Sequence, residues 1–360
     1  MPSLRTHTHS GSRSSLPAAV ALGWRALAAG LAIVLPACVG SFAGPPRGDF
    51  AVQVVKPGVT LRGLAAPGSG VVWATGSRGT VLRSVDGGST WRDVGPAAAA
   101  GSDLRSVVAW SSTCAVVASA GQPAVVLRTG DGGQSWVEVL RDPRPEAFFD
   151  AMAAHGDQVC LLGDPVAGGM ALWRSADRGA TWAAVPPTEL PKPQAGEASF
   201  AAGNQCLELD AAGVRFVTGG TAARVVWLGP NGRWRAQPLP MVHGAPSQGA
   251  FAIASRGEQS VVVGGDYRDP AAAAGVAVVG RCGAGFVPSQ GAGLGFRSAV
   301  RWLDDHTLLA VGEQGASWSG DGGRTFVPFG ATGWHALAVA PEGCVHAAGA
   351  AGRLGKLLRR

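Results

Sequence analysis

From about residue 50 onward the chain is a succession of short apolar runs, each ended by glycine or by a polar turn. Leu61–Ala65, Val71–Ala74 and Thr80–Arg83 are the first three. Runs this short, rich in Val, Ala and Leu and punctuated by Gly, Pro, Asn and Asp, predict strands. No long stretch keeps a helical period, so the pattern predicts an all-β fold. The runs come in cycles. Each has a strand opening on a polar residue, a second ending in Gly, a third, a sharp polar turn and a fourth. Three full cycles span about Val59–Val94, Asp103–Leu140 and Ala147–Val185. In the fourth, Glu197–Ala202, Cys206–Leu209, Val214–Thr218 and Arg224–Trp227 precede Trp234, with Glu197–Ala202 read as the first strand. In the fifth, Ala250–Ser255, Ser260–Val263 and Gly275–Val279 precede Phe286, and the sixth spans about Gly295–Phe329. A last cycle, Trp334–Ala340, Gly343–Ala348 and Gly352–Leu358, stops one strand short. Phe50–Val55 lies outside the first cycle and can supply the missing strand, closing a ring with few exposed ladder edges. The expectation is one domain, 49–360, of seven four-stranded units.

The sharp turn is the repeated signature. Ser84-Val85-Asp86-Gly87-Gly88-Ser89-Thr90-Trp91 returns around Asp131 and Trp136, Asp177 and Trp182, and Asp321 and Phe326. The aspartate can accept hydrogen bonds from the backbone of its own turn, and the glycines supply angles other residues resist. The aromatic residue re-enters the next strand and packs between sheets. This is the Asp-box turn of many β-propellers, and four copies at similar points of a cycle mark a repeat architecture. The boxes are therefore read as scaffold.

Composition and charge change this picture little. The 55 Gly and 24 Pro have no collagen-like period and fit many short strands and turns. A net charge of +6 comes from scattered residues, so a nucleic-acid partner is not expected. Residues 1–48 are of another kind: Arg5, Arg13 and Arg25 precede the apolar run Ala26–Leu35 and then Leu35-Pro36-Ala37-Cys38. That order describes a secretory signal too short to span a bilayer, so the chain is expected to be exported. Two endings stay open: lipidation of Cys38, which would leave a periplasmic or membrane-anchored lipoprotein, or ordinary cleavage near Ala43. A lipid at Cys38 would be the only membrane contact. Cys114, Cys160 and Cys206 recur every 46 residues and are read as equivalent blade positions, too far apart to bridge. With Cys282 and Cys344 they are expected to be free thiols. No cysteine–histidine spacing suggests a metal, and no dinucleotide fingerprint suggests a cofactor.

Candidate chemistry comes from aligning the first strand of each cycle. Arg62, Arg105, Asp150, Glu197, Gln248, Arg297 and His335 each precede small and apolar residues. First strands line a propeller's channel, so these seven are expected to ring its mouth. Asp164, Asp266, Tyr267 and Glu313, in turns between second and third strands, open on the same face. A concave site with converging polar groups would hold a protein partner or a small anionic or glycan ligand. The plainer reading is that strand starts are polar and their charges pair off, and His335 is read as structural. A sialidase-like glycoside hydrolase is the alternative, with Arg62, Arg105 and Arg297 clamping a carboxylate and Asp150 and Glu197 as a carboxylate pair. That chemistry wants an activated tyrosine, and Tyr267, the single tyrosine, falls in a turn.

With boxes, cycle count and leader together, the sequence resembles the WD40/YVTN/BNR-like propellers and, within them, the photosystem II stability/assembly factor-like group. Gly163-Asp164-Pro165-Val166, Gly264-Gly265-Asp266-Tyr267 and the closing Ala348–Arg353 look like those of exported bacterial members. The resemblance implies a seven-bladed, non-enzymatic propeller that acts by binding another protein, here expected to be a monomer.

Overall fold

The computed structural model describes residues 49–291 and 295–357. The leader and Cys38 lie outside the described residues. Seven antiparallel sheets follow one another around the chain. Blade one is Leu61–Gly68, Val71–Gly76, Thr80–Ser84 and Arg92–Asp93. Blades two and three run from Asp103 to Asp142 and from Phe149 to Ala184 in the same meander. Blade six starts at Ala299–Trp302 and ends at Val327–Gly330. In blade seven, Ala336–Val339, Val345–Ala348 and Arg353–Leu357 are joined by Phe50–Val54, paired from Phe50↔Leu357 to Val54↔Arg353.

The apolar runs are continuous because the middle strands are covered on both faces. Every residue of Val71–Gly76 is buried, as are Leu308–Gly312. The core lies between neighbouring sheets: Trp73, Val81, Val107 and Val117 form one cluster bridging blades one and two. Burial of this kind is the main favourable term of the fold.

Blade four departs from expectation. Its innermost strand is Leu207–Asp210, followed by Gly213–Val217, Arg224–Leu228 and Trp234–Pro238. Glu197–Ala198 is no first strand. It pairs with Gly219–Gly220, which pairs with Gly249 and so joins the sheet of blade five. The residues after Ser199 leave the sheet altogether.

Each Asp box forms as its sequence predicts. Asp86 accepts from the Thr90 amide and hydroxyl (2.8 and 2.6 Å) and from the Ser84 hydroxyl. Asp131, Asp177 and Asp321 repeat this with Ser135, Thr181 and Thr325. Burial works against the Asp86 charge, but the Thr90 and Ser84 bonds outweigh it and hold the carboxyl down at about 2. Bonds from Ser135 do the same for Asp131, also at about 2. Trp91 and Trp182 close their own turns onto the Gly88 and Gly179 carbonyls, whereas Trp136 reaches Val94 of the preceding blade. Phe326 is fully buried. All boxes lie beside the first hairpin of their own blade; the Gly87 amide donates to Gly70, and Gly322 to His306.

Cys114, Cys160, Cys206 and Cys282 are free, but Cys344 is disulfide-bonded, against the reading of it as a thiol. Cys160 lies in the second strand of blade three and Cys206 enters the first strand of blade four. Their even spacing therefore does not reflect equivalent blade positions.

Candidate functional site at the channel mouth

Near their starts, the innermost strands of blades one, two, three and five each carry one residue left out of the ladder, and its register marks what faces the mouth. In blade one Leu61 pairs with Gly76 and Gly63 with Thr75, so Arg62 is extra. Arg105, Asp150 and Phe251 are the extra residues of blades two, three and five. Such a bulge bends the strand and re-aims one side chain. Ladder partners put Ser298 and His335 in the corresponding place in blades six and seven, and Gln205 in blade four. Only Arg62, Arg105, Asp150 and His335 of the expected ring hold this register. Arg297 sits one residue before it, Gln248 three, and Glu197 is off the strand, because the insertions were invisible to spacing.

The mouth is filled by the chain itself. Residues 201–205 cross it and bond to all six other blades. Arg62 and Arg105 donate to the Ala202 and Ala201 carbonyls, each at 3.5 Å. Asn204 accepts from the Met152 amide at 2.8 Å and donates to Val107 at 3.0 Å. Gln205 donates to Leu337 at 2.6 Å and accepts from Val300 at 2.9 Å, while its carbonyl takes the Ile253 amide. Gly203 fits against the His335 and Ser298 carbonyls, where a Cβ would come within 2.3 and 2.9 Å. Asn204 and Gln205 are buried. Sequence reasoning missed both; a polar pair in the small-residue run Ala201–Cys206 was the one available signal.

The expected site residues fall into three environments. Glu197 is buried and clamped: Arg224 forks onto it at 2.8 and 2.6 Å, and Thr218 and the Gln194 amide complete its shell. Arg297 is buried against the Phe296 carbonyl and Ser317. Burial lowers it to about 10, which still leaves it charged at neutral pH. Asp150 is buried with neither carboxyl oxygen hydrogen-bonded. Burial, then the neighbouring Asp164, pushes its carboxyl well above the usual range, against the pull of Arg105. Asp164 is also raised by burial, opposed by the Ser199 amide. His335 is buried 3.4 Å from Arg62; burial first, then Arg62, Arg105 and Arg353, lower it to about 3. It is therefore neutral near pH 7, and its 3.7 Å approach to Glu313 is no ion pair there.

What remains open to solvent is shallow. Arg62 and Arg105 are half-buried, Arg105 pairs with Asp103 at 2.7 Å, and the Glu313 side chain is half exposed. Across the mouth, Phe200 stacks on Phe251 at 3.8 Å, and Tyr267 meets both edge-on with 43% of its surface exposed. Gln248 bonds Asp266 at 3.1 Å at the end of the hairpin that leads into Tyr267. Such a face can bind an extended chain through cations on one side and rings on the other.

Residues 66–190 match the family model described as photosynthesis system II assembly factor YCF48. Over those residues, about a third of the chain, the sequence is similar to that family. A solved structure of YCF48 bound to D1 peptide matches with TM-score 0.61 at 17% identity, covering 88% of this chain and 100% of that one. YCF48 from Cyanidioschyzon merolae gives 0.56 at 18%, covering 85% and 98%. The GH74 xyloglucanase from Xanthomonas campestris gives 0.57 at 18%, covering 85% of this chain and 53% of that chain. At these identities the likeness is one of fold. No curated protein matches.

Proposed function

We propose that this chain is a non-enzymatic, assembly-type propeller whose plugged face binds a stretch of another protein. One observation carries the reading: the carboxylate pair of the rival hydrolase is withdrawn from the mouth, while cations and aromatic rings are open to it. Asp150 is buried and Glu197 is locked by Arg224. General acid–base chemistry needs such groups in contact with substrate. Arg62 and Arg105, opposite Phe200 and Tyr267, suit an extended segment carrying carboxylates and apolar side chains. The likeness to a YCF48 structure bound to D1 peptide supports a peptide-binding role. Export and a monomeric state belong to the same proposal and rest on the sequence of residues 1–48 and on the closed ring. A glycan ligand and the glycoside hydrolase are the rival reading.

The test pairs affinity capture with a panel of chromogenic glycosides. Wild type is expected to retain a specific protein partner and turn over no glycoside, with capture lost in Arg105→Glu. Turnover by wild type that disappears in Glu197→Gln would establish the rival.

A further inference from the structure

Below the plug, on the Asp-box side, the channel opens into a cavity of about 480 Å³ lined by the later residues of all seven innermost strands. Leu64, Val107, Met152, Leu207 and Val339 give it an apolar wall, and Asn204 of the plug contributes from above. A volume of this size is ordinary for a small-molecule site. Arg301 and Glu208 are the charged residues that line it.

Those two charges are not equivalent. Glu208 is occupied: one oxygen accepts the Ser255 amide at 2.8 Å, and the other lies 3.4 Å from Arg215, which also holds Asp210 at 2.7 Å. Arg301 belongs to the strand Ala299–Trp302 and makes no hydrogen bond or ion pair among the described residues. Arg301 is half-buried in the cavity wall, where burial lowers its pKa and Glu208 pulls the other way. A guanidinium carries five donors in a planar fork, and leaving them without protein partners in a confined space is costly unless something else accepts them.

We infer that the lower channel binds a small organic monocarboxylate, its carboxylate forked by Arg301 and its apolar body against Leu64, Val107, Met152 and Leu207. The fork geometry matches a planar carboxylate. A single cation with Glu208 nearby disfavours a dianion such as phosphate, and the walls offer a phosphate little. This site is on the opposite side of the plug from the proposed partner face and does not depend on that reading.

Benzoate is a suitable probe, with benzamide as its uncharged isostere and inorganic phosphate as the dianion. Binding to the full chain would be followed by calorimetry at constant ionic strength. Saturable benzoate binding is expected, weakened at least about tenfold for benzamide and in Arg301→Gln, the scale of losing a charge-assisted fork. Arg301→Lys, which keeps charge without the fork, should fall between, and Arg141→Gln, on the exposed outer strand of blade two, should bind as wild type does. Melting curves would establish that each variant is folded. No saturable benzoate binding, undiminished binding in folded Arg301→Gln, or phosphate binding more tightly than benzoate would each overturn the inference.

Discussion

Buried beside three arginines, His335 ties the mouth to solution pH. In an unfolded chain imidazole titrates near 6.5, whereas burial and Arg62, Arg105 and Arg353 bring it to about 3 in the fold. The unfolded state therefore binds a proton that the folded state refuses. The stability linked to this group is complete above about pH 6.5 and is lost as pH falls from there toward 3. His346, lowered to about 4 by burial and Lys356, works in the same direction. The Asp boxes lose their contribution only below about pH 4, as they are protonated, so the windows are largely separate. Asp150 and Asp164, raised by burial, work the other way, so the comparison with a variant isolates the histidine. In urea unfolding from pH 7 to 4, His335→Gln should lose less stability per pH unit than wild type, by up to about 1.4 kcal/mol. An unchanged slope in that variant would mean His335 is not neutral in the fold.

Between strands, the boxes do more than turn the chain. The last glycine of three boxes presses on an earlier blade: Gly133, at φ +86°, would put a Cβ 2.6 Å from that of Val94, Gly179 one 2.8 Å from Val116, and Gly323 one 2.5 Å from Val261. Both the angle and the space exclude a side chain. Gly133→Ala is expected to cost about 1–3 kcal/mol through strain and overpacking, checked by a thermal melt. A cost below about 0.5 kcal/mol, the range of an ordinary surface change, would show the blade contact to be loose. Strands and boxes were legible because apolar runs and the Ser–Asp–Gly–Thr–Trp pattern act locally. Register was not. Arg297-Ser298-Ala299 reads like Arg62-Gly63-Leu64, yet pairing with Val311 puts Ser298 in the equivalent place. An inserted residue is settled by its partner strand, and no local spacing records that partner.

For the ring as a whole, the decisive segment was the least legible. Ala201–Gln205 has no periodicity, and its bonds run to residues about as far along the chain as Leu337. Small side chains there read as strand, and only the crossing of the axis explains why asparagine and glutamine follow them. Asn204→Ala would strip the Met152 amide and Val107 carbonyl of their partner, and Gln205→Ala those of Val300 and Leu337. Each unsatisfied buried group costs about 1–3 kcal/mol, so each substitution, which strands two, is expected to lower stability by about 2–6 kcal/mol, read from urea unfolding. A loss under about 1 kcal/mol would mean water replaces these bonds readily. Because residues 201–205 occupy the centre, this wheel turns on a solid axle instead of a bore. What arrives at the arginines above and what enters beside Arg301 below meet opposite surfaces of one thin wall. Nothing passes through the hub, so the shallow upper face and the cavity below are each reached only from their own side.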